Sequence, residues 1–77
     1  MKNIVVFHGR GCSACHEQMQ FLAHHGFSFT AKDVVSDMTA RNELLSLGSK
    51  TLPTTVIDGE TVIGFDKKRL SELLSIR

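Results

Sequence analysis

Apolar residues are distributed along the chain in two different rhythms. Residues 3–7, Asn-Ile-Val-Val-Phe, hold a short unbroken apolar run rich in β-branched side chains. Such a run reads as a strand buried on both faces. From residue 13 the spacing changes. Cys15, Met19, Leu22 and Ala23 recur at helical intervals with Glu17, Gln18 and Gln20 between them, which predicts a helix over residues 13–25. His24 and His25 fall in its last turn, where cationic groups are favoured, and Gly26 suits the position just beyond its end. Residues 27–34 alternate at Phe27 and Phe29 and read as a second strand. Ser36 and Asp37 are N-cap candidates for a helix over 38–47, with Met38, Leu44, Leu45 and Leu47 as its apolar positions and Gly48 closing it. Two β-branched runs around Asp58-Gly59-Glu60 predict a hairpin. Asp66 then caps a last helix whose inner stripe is Leu70, Leu73 and Leu74.

The predicted order is β-α-β-α-β-β-α, an α/β arrangement. Its first half is a βαβ unit, whose strands should run parallel with a right-handed crossover. Its second half adds an antiparallel hairpin and a covering helix. No repeat, linker or low-complexity segment divides the chain, so residues 1–77 are expected to form one domain. Chemistry in such folds sits at the C-terminal edge of the sheet, here where the first strand hands over to the first helix.

Composition narrows the function classes. A net charge of +1 argues against a nucleic-acid binder held by bulk charge. With no Trp or Tyr, a base-stacking platform would have to come from the five Phe residues, which are expected in the core instead. The apolar run Ile4 to Phe7 is too short for a signal-peptide core, and no stretch approaches the ~18 apolar residues that a membrane span needs. A cytoplasmic monomer with no membrane partner is the expectation. In that compartment thiols stay reduced, so a close cysteine pair is expected to do chemistry.

The pair is Cys12-Ser13-Ala14-Cys15, followed by His16. Three chemistries use such a string: a redox dithiol, attachment of a c-type haem, and part of a zinc site. Haem attachment needs an oxidising compartment, a second axial ligand and an apolar pocket, and Met19 is already claimed by the inward stripe. A zinc site with His24 and His25 would have to span ~14 Å of helix at 1.5 Å per residue, too far for one tetrahedral ion. His8 and His16 lie nearer and keep a metal-binding module open. The redox reading uses the helix directly. Cys12 falls at or just before the first turn, where free N–H groups and the dipole favour a thiolate, and Cys15 lies one turn on, within bridging reach. Exchange chemistry needs that asymmetry between an attacking and a resolving sulfur. His16, four residues after Cys12, would favour the thiolate further if protonated, or is a solvated helix residue. Arg10 either raises the local positive potential or points into water. Pro53, the single proline, opens the third strand, a place where proline needs no functional reason.

In this element order, Cys12-Ser13-Ala14-Cys15 after the first strand, Thr51-Leu52-Pro53 before the hairpin and Gly64-Phe65-Asp66 before the last helix resemble a small bacterial glutaredoxin-like protein of the thioredoxin fold. The resemblance spans essentially the whole chain. It implies a four-stranded mixed sheet of order 2-1-3-4 with three helices, the first and third on one face and the second on the other. It implies that Pro53 is cis and faces the cysteine pair, and that the Leu52 backbone pairs with the substrate like a strand edge. Thr51, Leu52, Pro53, Gly64 and Asp66, with Arg10, become a glutathione or peptide site. The implied activity is disulfide reduction with Cys12 as nucleophile and Cys15 as resolving thiol. No cofactor is implied beyond glutathione as reductant or substrate. Partners would be disulfide-containing proteins, with glutathione or thioredoxin reductase as the electron source.

This chain departs from the glutathione-using pattern at several places. Ser13-Ala14 stands where Pro and an aromatic are common, Gly9 where a lysine is common, Ile63 where a first glycine is usual, and Lys67 where a second acid follows. Lys67, Lys68 and Arg69 fill the last helix's first turn, as a solvated face or as a cationic rim for an acidic partner. Two other readings compete. One is the glutaredoxin-like electron donor to ribonucleotide reductase, of whose usual Trp-Ser-Gly-Phe-Arg-Pro run only Gly64-Phe65 remains here. The other is a non-catalytic redox or metal-binding module of the same fold.

Overall fold

The computed structural model describes residues 2–76. The elements are β1 (Ile4–His8), α1 (Ser13–His24), β2 (Thr30–Asp33), α2 (Met38–Ser46), β3 (Thr54–Ile57), β4 (Glu60–Ile63) and α3 (Lys67–Leu74). The sheet order is β2-β1-β3-β4. β1 runs parallel to β2 and antiparallel to β3, and β3 and β4 are antiparallel. This is the expected thioredoxin-like fold.

The pleat sorts the side chains onto two faces. Ile4 and Val6 of β1, Ile57 of β3 and Val62 of β4 pack with Leu22 of α1 and Leu70 and Leu74 of α3. Val5, Phe7 and Val56 point the other way and meet Ala40 and Leu44 of α2. The apolar run in β1 is continuous because helices cover both faces of that strand.

Local chemistry sets the element ends. Asp37 caps α2 by accepting from the Thr39 and Ala40 amides at 2.9 and 3.3 Å. Asp66 caps α3 by accepting from the Arg69 amide at 3.0 Å. The end of α1 is a Schellman motif, in which the Phe27 amide donates to Leu22 O and the Gly26 amide to Ala23 O, both at 3.0 Å. Gly26 there takes φ +80°, which a side chain would disfavour. The β3–β4 hairpin turns on Asp58-Gly59 alone, both with positive φ, the type I′ pattern that matches strand twist. Glu60, expected in the turn, instead pairs with Ile57 inside the ladder.

Several expectations need correction. The second strand is shorter than residues 27–34. Phe27 and Phe29 lie before it and pack partly buried against the α1/α3 core. Their alternation marked core contacts made by a loop entering the strand. On α1 the inward stripe is Cys15, Gln18 and Leu22, whereas Ala23 is exposed. On α2 only Ala40 and Leu44 are buried, and Met38, Leu45 and Leu47 face outward. One short helix of nine residues covers that face and cannot turn four apolar positions inward.

Candidate active site

The loop between β1 and α1 delivers the cysteines. Cys12 is the N-cap of α1, with an extended backbone at φ −95° and ψ 93°. Its Sγ accepts a hydrogen bond from the Cys15 amide at 3.1 Å, taking the place of the usual capping oxygen. No acidic side chain stands in the first turn of α1, so this sulfur is the group that meets the helix's positive end. The His16 amide donates to Cys12 O at 3.2 Å and closes the first turn. Cys12 and Cys15 form a disulfide, their Cα atoms 5.2 Å apart. Cys12 is partly exposed and Cys15 is buried. One sulfur is therefore open to a substrate and favoured as an anion, and the other is sheltered behind it. That is the asymmetry thiol–disulfide exchange requires.

Around the pair, Gly9, Gly11, Ser13, His16 and Met19 line an open depression with the two cysteines. His16 is exposed beside the site and Arg10 is exposed on the preceding loop. Gly9 lies against the next segment, since a Cβ built there would come within 2.9 Å of Leu52 Cδ1 and 3.4 Å of Val35 Cγ2. The loop before Cys12 thus touches Leu52. The Leu52–Pro53 peptide is cis and Pro53 is buried. The Gly64 amide donates to Pro53 O at 2.8 Å, and the Asp66 amide donates to Gly64 O at 3.2 Å. Pro53, before β3, is linked by this chain of bonds to Gly64 and Asp66, after β4. Thr51 is exposed, and its carbonyl accepts from Thr54 Oγ1 at 2.5 Å.

In the cationic first turn of α3, Lys67 and Arg69 have partners of their own. Lys67 Nζ lies over the rings of Phe65 and Phe21 at 5.6 and 6.0 Å, and Phe21 is nearly two turns beyond Cys15 on α1. Arg69 reaches Glu60 at 3.4 Å. His24 and His25 pack edge-to-face with each other, and His25 also packs against Phe21. Among the described residues, no three His, Cys, Asp or Glu side chains gather as a metal site. No helix is long and apolar enough to cross a membrane among those residues.

At the strand ends nearest the dithiol, His8 pairs in register with Asp33. The Asp33 carboxylate accepts from the Val35 amide at 2.8 Å and the Ser36 amide at 3.4 Å. The Val35 bond is the main cause that lowers the pKa of this carboxyl; desolvation opposes it, and Ser36 and nearby His8 add to the lowering.

Sequence reading missed four polar residues here. Ser49 and Thr54 are buried and share a hydroxyl–hydroxyl bond of 2.7 Å. Gln18 and Thr55 are buried on the opposite face and bond to each other. Gln18 lies one turn after Cys15, and that helical spacing was the available signal. The two threonines sit inside a β-branched run that reads only as strand.

A sequence profile described as Glutaredoxin matches residues 4–62. Among solved structures, the thioredoxin-like protein BC3987 superposes with a TM-score of 0.89 at 39% identity, over 92% of this chain and 99% of that one. The glutaredoxin from Archaeoglobus fulgidus gives a TM-score of 0.79 at 20% identity, over 96% of this chain and 87% of that one. The glutaredoxin-like protein NrdH-redoxin from Escherichia coli gives 0.81 at 20% identity, over 97% and 95%. At that identity the last two speak to fold alone. A comparison with curated protein sequences finds no match.

Proposed function

The chain belongs to the glutaredoxin family and is a thiol–disulfide oxidoreductase, and from that premise we propose that its main substrates are disulfides of proteins. The observation that carries this reading is Cys12 Sγ at the α1 N-cap, partly exposed, with Cys15 buried behind it. The Cys12 thiolate attacks one sulfur of the substrate disulfide, and that S–S bond breaks with release of a substrate thiolate. Cys15 then loses its proton and attacks Cys12 Sγ. The mixed disulfide breaks, the second substrate thiolate leaves and takes up a proton, and the Cys12–Cys15 bridge closes. Two electrons have passed to the substrate. An external thiol or a reductase returns them, so the dithiol works without a cofactor.

Leu52, Pro53 and Gly64 form the groove wall in this reading, with the Leu52 backbone as a strand edge for the substrate's cysteine segment. Gly9 supports protein over glutathione as the partner. A residue bearing a side chain at that position must displace Leu52 Cδ1, and glycine leaves no cation there to meet a glutathione carboxylate. Asp66 spends one carboxylate oxygen on the α3 cap. The linked Pro53, Gly64 and Asp66 backbone favours a second use of the same groove, with Thr51 and Arg10, for glutathione mixed disulfides.

The test is trapping and turnover. Cys15→Ser should accumulate a mixed disulfide on Cys12 with a model protein disulfide, seen by mass spectrometry, while Cys12→Ser should lose reduction by at least about a hundredfold. Full activity in Cys12→Ser would refute the assignment. Turnover sustained by thioredoxin reductase with NADPH supports the protein-disulfide reading, including service as an electron donor to a reductase. Turnover sustained only by glutathione with its reductase, on a glutathionylated substrate, would replace it with the second use.

A further inference from the structure

Gln18 is the one buried side-chain atom set left unfinished among the described residues. The residue is fully buried, yet its Oε1 has no hydrogen-bond partner, while its Nε2 donates to Thr55 Oγ1. A buried amide oxygen without a partner costs about 1–3 kcal/mol. The Nε2 bond satisfies the buried Thr55 hydroxyl and so explains one end of the amide, but it leaves the oxygen unexplained.

Position suggests what the oxygen is for. Gln18 follows Cys15 by three residues in α1, and both side chains face inward. Residues three apart are neighbours on a helix surface. Helical side chains also lean toward the N-terminus, so a residue covers the turn before its own Cα. For Gln18 that turn contains Cys15. Thr55, in the middle of β3, fixes the other end of the amide.

In the disulfide, Cys15 Sγ carries no hydrogen and cannot donate. Reduction changes this. When an external dithiol breaks the Cys12–Cys15 bond, it is oxidised to its own disulfide, two electrons enter the pair, and Cys15 Sγ becomes a thiol with a proton to donate. We propose that Gln18 is a positioning residue for Cys15, whose Oε1 accepts the Sγ–H of the reduced resolving thiol. The bond favours the dithiol over the disulfide. It also keeps the proton on Cys15 while Cys12, at the helix end, carries the charge. The division of labour between the sulfurs is then held from both sides: the N-cap favours charge on one, and a buried acceptor favours the proton on the other.

The inference rests on the pair cycling between dithiol and disulfide, and not on which substrate it serves. Two measurements test it. The first is the thiol–disulfide equilibrium against dithiothreitol, for wild type and for Gln18→Met, which keeps the length and removes the acceptor. Expected is a shift of about fivefold toward the disulfide, on the order of 20 mV for a two-electron couple. A shift below about twofold overturns the proposal. The second needs no variant. The Gln18 side-chain 13Cδ resonance of the wild-type protein should move when dithiothreitol reduces the pair, because the carbonyl gains a donor. An unmoved resonance overturns the proposal even if Gln18→Met does not fold. A wild-type bridge that dithiothreitol left intact would sink the oxidoreductase reading, and Gln18's role with it. A cycling wild type with an unshifted variant sinks Gln18's role alone.

Discussion

The two faces of the sheet are built to different depths. On the α1/α3 face, seven buried apolar residues from three strands and two helices close together, with four phenylalanines packed partly buried around them. On the α2 face the buried set is Phe7, Ala40 and Leu44. That face is covered by a helix that leaves Met38 70% and Leu45 50% exposed. Each fully buried Leu or Ile side chain contributes about 1.5–3 kcal/mol. Most of the fold's cohesion therefore lies on the face that carries Cys15. The thinner face carries Val34 and Leu52, and Leu52, with the exposed Val35, lies beside Gly9 in the loop before Cys12. The cysteines therefore stand on the more deeply packed side of the sheet, with the thinner wall beside them.

The strongest test of this contrast is a pair of cavity mutations. Leu70→Ala, in the larger core, should cost about 4 kcal/mol, and Leu44→Ala, under α2, about 2.5 kcal/mol, measured by urea unfolding. Equal costs, or a larger one at Leu44, would break the comparison. Removing the α2 cap sharpens it. Asp37→Ala should cost about 1 kcal/mol. Native-state hydrogen exchange should show the loss as faster opening of α2 amides, with the amide of Leu22 in α1 unaffected. Uniform acceleration across both helices would mean that the faces open as one unit. The smallest expected effect is acid dependence at Asp33, where β2 leads into α2. The Asp33 carboxyl is held below its ordinary value of 3.8, so its contribution is full above that pH and is lost as pH falls through the lowered folded value. The melting temperature of Asp33→Asn should therefore drop less than that of wild type on acidification below about pH 4. Parallel acid profiles would assign the acid loss to other carboxylates.

Much of this architecture is legible without coordinates because it rests on local rules. Asp37 and Asp66 cap helices because a carboxylate one step before a helix meets free amides. Asp58-Gly59 turns the hairpin because both positions need positive φ. Cys12 is found at the α1 N-cap because the run to Phe7 must end and a helical period begins at residue 13. The misreadings have one origin. Apolar period says which residues want burial, and the room available depends on what lies opposite. Phe27 and Phe29 found room before the strand began, and Met38, Leu45 and Leu47 found none under α2.

The sequence by itself determined the order of elements, their caps and turns, and the placement of Cys12 at a helix start, since each depends on neighbours within one turn of chain. Tertiary structure alone decided the polar interior. Gln18 of α1 meets Thr55 of β3 only because the fold brings together segments far apart in the chain, and the Ser49–Thr54 hydroxyl pair is closed by the path of the loop into β3. A buried polar group is stable only with a partner across space, and no periodicity along the chain encodes that partner. Periodicity does place Gln18 on the face of Cys15. That its oxygen is left without a donor while the disulfide is closed emerges only when the surrounding core is built.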